Sequence, residues 1–201
     1  MTTPTGTIGD IGGFYDENNV LVGSAVGFVS PVGTPDPADS IEVFDPAIWI
    51  APWASCGATE QGWQVNWNPQ TNDINIDEQP TPVDQQMSTA ALQFVANLAE
   101  DTVASWGFAL NADKTVTAPS TGVFGKTTLT PNGSLKRYKV VLETQNQQDM
   151  PRRFIVPKMT CAANVGATFR RAAGARLIPV TFTSICKLSD IQVVEITHAG
   201  S

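Results

Sequence analysis

Branched side chains set the terms on which this chain can fold. Val, Ile and Thr number 19, 12 and 22, while Leu numbers only 9. Two heavy substituents on Cβ restrict χ1, which is a cost in a helix and none on a pleated surface, so the balance favours sheet. Leu, Ile, Val and Phe together number 49 of 201 residues. That is enough apolar material for a core, above the roughly 20% below which chains stay disordered. The length suits one domain. The expected class is mainly β: an antiparallel sandwich or barrel with one short flanking helix, an extended amino-terminal arm over residues 1–15, and long loops within a single β-domain over 16–201.

Charge is sparse, at 15% of residues, and sorted along the chain. The first Lys or Arg is Lys114, so residues 1–113 hold 15 acids and no base. Residues 114–201 carry all 12 bases against Glu143, Asp149, Asp190 and Glu195, so the two parts stand at −15 and +8 and the whole at −7. A net acidic chain lacks the clustered Lys and Arg of a duplex nucleic-acid binder. Either the fold interleaves the two parts and the asymmetry vanishes in space, or an acidic face of one copy meets a basic face of the next, a head-to-tail contact that closes into rings or runs on as a filament.

The segment Met1-Thr2-Thr3-Pro4-Thr5-Gly6-Thr7 has neither a basic nor an apolar stretch of the secretory kind, so synthesis and folding are expected in the cytosol. No run approaches 18 apolar residues, so no membrane-spanning helix is expected. Cys56, Cys161 and Cys186 are widely spaced, with only His198 to join them as a ligand, so no metal and no cofactor is expected. Cys161 and Cys186 read as buried thiols in strands.

Along the chain, a Thr/Gly-rich arm gives way to a strand from Val20 to Ser30, then a Pro/Gly/Asp loop from Pro31 to Asp39. Trp63 to Trp67 and Ile74 to Ile76 alternate and are expected to pair around Asn68-Pro69-Gln70. Met87 to Leu110 carries both periods, predicting a strand to about Leu98 and a helix from Glu100 to Leu110 whose amino end Glu100 and Asp101 favour. Pro131-Asn132-Gly133 predicts a hairpin turn, since Asn-Gly supplies two positive-φ positions. Strands over Arg153–Thr160, Arg176–Cys186 and Ile191–Thr197 complete the pattern.

The search for chemistry returns little. Ser120 to Thr127 has the look of a phosphate loop but lacks its first Gly, the preceding strand and the following helix. The single histidine, His198, lies too near the chain end to serve a nucleophile, and no catalytic residue is assigned. Asp73, Asp77 and Glu78 are a carboxylate cluster of the kind glycosidases use, or simply the solvated face of a strand and its turn. Asn132-Gly133-Ser134 matches a glycosylation acceptor, which a chain without a secretory leader never presents to that machinery.

One set of motifs falls in a recognisable order. Trp53-Ala54-Ser55-Cys56-Gly57-Ala58-Thr59-Glu60-Gln61-Gly62 precedes an alternating strand, then Asp77-Glu78-Gln79, Pro82-Val83, and an alternating run that ends in Ala99-Glu100 and a short helix. Arg153-Phe154-Ile155-Val156-Pro157-Lys158 and Ile178-Pro179-Val180-Thr181-Phe182-Thr183 follow. Over Ile41 to Thr197 this order resembles the major tail tube proteins of long-tailed bacteriophages with non-contractile tails. No appended immunoglobulin-like domain of the kind some relatives carry is evident.

The resemblance implies a virion protein, assembled in the host cytoplasm, whose subunits join sheets edge to edge into hexameric rings that stack as a tube. It implies as partners other copies of the chain, a tape-measure protein, and tail terminator and distal tail proteins, with DNA passing through the lumen without specific binding and no membrane involved. The arm to Tyr15 and the loop from Asp45 to Gly62 are then the expected bridges between rings. Trp49 and Trp53 need a covering partner if that loop stays off its own core. A conduit must not hold phosphates, so Asp73, Asp77, Glu78 and Asp84 are expected at the lumen, and Arg152, Arg153, Arg170, Arg171 and Arg176 at contacts between subunits or rings. Two other readings stay open: a carbohydrate-binding sandwich that uses the Trp cluster as a stacking platform, and a glycosidase.

Overall fold

The computed structural model describes residues 25–74, 81, 83–145, 150–162, 165–166 and 177–197. The described residues are mainly antiparallel β with one short helix, the class that the branched side chains predict. The expected arm, the start of the first strand before Ala25, and Asp77, Glu78, Arg170, Arg171, Arg176 and His198 lie outside the described residues.

Four strands form the first layer's centre and edge. Strand β1 (Val26–Pro31) pairs with the short β2 (Ala54–Ser55) on one side and with β7 (Arg137–Gln145) on the other, and β7 pairs with β8 (Pro151–Cys161). Strand β8 then changes partner along its far edge. Residues Arg152 to Ile155 pair with β10 (Gln192–Glu195), whereas Met159 to Cys161 pair with β9 (Ile178–Ser184). Between these stretches the register against β7 slips, with Tyr138 opposite Met159 but Val140 opposite Val156. The extra residue falls at Pro157-Lys158, and such a bulge bends and twists its strand. That bend lets β8 serve two layers, as strands at sandwich corners do.

The second layer continues from β9 to β4 (Asp84–Leu98) and β3 (Thr59–Ile74). Inward-facing Leu92, Phe94, Ala96 and Leu98 of β4 meet Val140, Leu142, Val156 and Met159 of the first layer, with Ile178, Val180 and Phe182 of β9 fully buried between them. Helix α1 (Val103–Ala109) covers one end, where Phe108 packs edge-on against Tyr138 and Phe182. Beyond it β5 (Ala112–Thr117) and β6 (Lys126–Pro131) form a separate two-stranded sheet.

Three local expectations are corrected. Trp63 to Trp67 and Ile74 are not two strands joined at Pro69; β3 runs through unbroken and pairs with β4. Pro69 is tolerated there because β3 is an edge strand, where a missing N–H breaks no ladder. The helix begins at Thr102, whose hydroxyl accepts from the Ser105 amide at 3.1 Å, and no acid lies in its first turn. Glu100 instead accepts from the Ala58 amide and Asp101 from the Trp106 indole. Finally, Asn132-Gly133 is not a hairpin: both edges of β7 are already taken by β1 and β8, so β6 pairs with β5. Gly133 is not left-handed, and the Asn132 side chain accepts from the Ser134 amide in an Asx turn. Asn111, at φ 50, does the connecting work, donating to the Ser134 carbonyl and accepting from the Lys136 amide.

Candidate assembly surface

The Trp-bearing loop is strapped to the outer face of the first layer. Lys139, Val141 and Glu143 of β7 share that face by the period of two, as do Arg153 and Ile155 opposite them. Lys139 reaches Asp36 and the Thr34 carbonyl, Glu143 accepts from the Phe44 amide at 2.5 Å, and Arg153 donates to Glu143 at 2.5 Å and to the Ala38 carbonyl at 2.8 Å. Over the apolar part, Trp49 stacks on Phe28 with ring centroids 3.7 Å apart, and Trp53 packs edge-on against Trp49 and is buried with Val141 and Ile155. Arg153 and Lys139 lie over the Trp49 and Trp53 rings.

These contacts change the standing of several expected site residues. Trp53 is buried by its own sheet and Trp49 is half-buried on Phe28, so neither ring needs another copy or a sugar to cover it. Arg153 is 1% exposed and its partner Glu143 0%, so Arg153 is an internal charge and not a contact between subunits. Arg152 pairs across the strands with Glu195 at 3.0 Å. Tyr138, pushed up to about 12, and Cys161, pushed up to about 11, owe their shifts chiefly to burial, as does Cys56, which is raised further. These groups are protonated structural members, not nucleophiles. Among the described residues no cluster of three or more His, Cys, Asp or Glu is placed to hold a metal.

The surface left without an internal partner is elsewhere. Strand β9 supports β4 only from Gln93 to Leu98, yet β3 and β4 stay paired as far as Ile74 and Asp84. The outer part is a two-stranded ribbon that projects past the sandwich, with both edges unpaired among the described residues. Its pairing puts Trp63, Val65, Trp67 and Pro69 on the same face as Leu92, Ala90 and Met87, the face that lines the core further in. Val65, opposite buried Phe94, is 41% exposed, and beyond the reach of β9 Trp67 and Met87 are 47% and 48% exposed. The other face carries Gln64, Asn66, Asn68, Gln70 and Asn72 opposite Gln93, Thr89 and Gln86.

The expected lumen acids divide between these faces. Asp73 pairs with Gln85 on the apolar face, and Asp84 pairs with Ile74 on the amide face. The pleat therefore forbids both from lining one surface of the ribbon. Sequence patterning missed a second exposed feature. The stretch Ser120 to Thr127 holds the tip of the β5–β6 hairpin, turned by Gly122 at φ 76 within a Ser120–Val123 bridge. Phe124 stands there 95% exposed beside Val123 and Val116.

Between β3 and the β7–β8 pair, a cleft of about 640 Å³ is lined by Trp63, Val65, Leu142 and Phe154, with Glu60 among its polar members. Compared with known proteins, the chain matches no protein-family model, and no curated protein matches it significantly.

Proposed function

We propose that this chain is a structural subunit that polymerises with copies of itself into a tube of the phage-tail type, a conduit for DNA. The observation that carries this reading is the β3–β4 ribbon: a core-like apolar face continued beyond the core, with no opposing layer and two free edges among the described residues. Such an edge is a template for pairing with another chain, and monomers that stay monomeric blunt it with Lys, Pro or a covering element. Here the projecting part carries exposed Trp67 and Met87, one such device in Pro69, and no Lys or Arg.

The opposite face suits a channel wall. Amide side chains with Asp84 and no base offer phosphates nothing to bind, so counterion release cannot hold the polymer. Ring number and the tape-measure, terminator and distal partners come from the sequence resemblance. Electron microscopy of the full chain, concentrated with and without a crowding agent, tests the proposal. Rings or tubes are expected; a monomer under every condition overturns it.

A further inference from the structure

Two features of one chain match in polarity and are opposite in charge. The β5–β6 hairpin ends in an apolar tip, Val123 and Phe124, with Lys126 two residues on and Lys114 on the other face of the hairpin; its acid Asp113 is already paired with Lys136 at 2.7 Å. The cleft between β3 and the β7–β8 pair has aromatic and aliphatic walls, Trp63, Val65, Leu142 and Phe154, and includes exposed Glu60. The ribbon that continues from it adds Asp73 on the apolar face, and residues 25–113 contain no Lys or Arg. A volume of about 640 Å³ takes an aromatic ring together with part of the turn that bears it. Within one molecule the hairpin packs by its base on α1, with Leu129 near Gly107, which leaves its tip facing away from its own core.

We infer that the Phe124 tip of one copy docks into the Trp63–Phe154 cleft of a second copy, with Lys126 set against Glu60. The contact is heterologous: tip and cleft lie on different parts of the subunit, so each copy still has one of each to offer, and association propagates into a ring or a stack. Phe124 is the anchor and the charges fix orientation and rate. The inference rests on the proposed self-assembly and names the surface that performs it.

The test uses the full chain with p-benzoylphenylalanine at position 124, irradiated under assembling conditions. Crosslinked dimers should map to peptides containing Glu60 to Val65 or Leu142 to Thr144. Phe124→Ser should leave the unfolding midpoint of the subunit unchanged and raise the concentration at which assembly begins by at least about tenfold, as for loss of a hot-spot aromatic. Lys126→Glu and Glu60→Lys should each weaken assembly, and together restore it in part. If the wild-type chain assembles but Phe124→Ser assembles equally well, or crosslinks map elsewhere, the docking inference fails while self-assembly stands. If the wild-type chain never associates in sedimentation velocity, both fail.

Discussion

Glu143 and Arg153 show how one charged pair fixes a loop of some twenty residues on a sheet. Both are buried, and between them they bind the Phe44 amide and the Ala38 carbonyl, while Phe44 itself is held at φ 57, a left-handed conformation that costs a non-glycine residue about 1 kcal/mol or more. A buried pair is a poor source of net stability, but removing one member strands the other. Glu143→Gln should therefore cost about 3–5 kcal/mol in urea unfolding, and Glu143→Met combined with Arg153→Met should recover most of it. Equal losses in the single and double variants would mean that the loop contacts, not the stranded charge, set the cost. Cys161 gives a pH signature at the same scale. Burial raises its folded-state value from 9.0 to about 11, so the folded state retains the proton that the unfolded state releases. Stability from this group is full below pH 9 and falls as pH rises toward 11, by about 2–3 kcal/mol in all. Cys161→Ala should flatten that part of the alkaline limb, measured as the urea midpoint at successive pH values.

At the scale of elements, the meeting of the two layers depends on an absent side chain. The Trp63 ring of β3 lies over Gly27 of β1, so close that a Cβ at position 27 would run into it. Gly27→Ala should destabilise by roughly 1–3 kcal/mol, the usual cost of overpacking, and Trp63→Phe in the same chain should relieve part of the loss. A thermal midpoint unaffected by Gly27→Ala would mean that the ring has room to move. The alternation Leu92, Phe94, Ala96, Leu98 made β4 legible in the sequence, because a half-buried strand must show a period of two. The run Val140 to Thr144 is buried on every residue, since core covers one face of β7 and the Trp loop the other, and so gives no period to read. The strand pairing was not legible at all. Asn132-Gly133 has the local chemistry of a hairpin, and long-range competition for the edges of β7 overrode it. Phe124 was hidden for a related reason: its setting reads as an imperfect phosphate loop until β5 and β6 show that it is a tip.

For the whole molecule, the sorting of charge along the chain is only partly undone by folding. Lys139 with Asp36 and Lys136 with Asp113 each join an early acid to a late base, so the two parts do interleave around the Trp loop and the helix end. Glu60, Asp73 and Asp84 belong to no ion pair among the described residues, and Lys114 and Lys126 likewise to none. What remains is Glu60 at the cleft on one part of the subunit and Lys126 by the hairpin tip on another, a distribution that suits a head-to-tail contact. Salt separates this account from purely apolar association. The Debye length is about 8 Å at physiological ionic strength and about 3 Å at 1 M, so exposed pairs across an interface are screened while the buried Glu143–Arg153 pair is not. Raising sodium chloride from 0.05 M to 1 M should increase the concentration needed for assembly by several-fold, on the order of tenfold, with the subunit's own unfolding midpoint nearly unchanged. Assembly that is indifferent to salt, or that strengthens with it, would assign the contact to Phe124, Trp67 and Met87 alone and leave the sorted charges with no part in joining the copies.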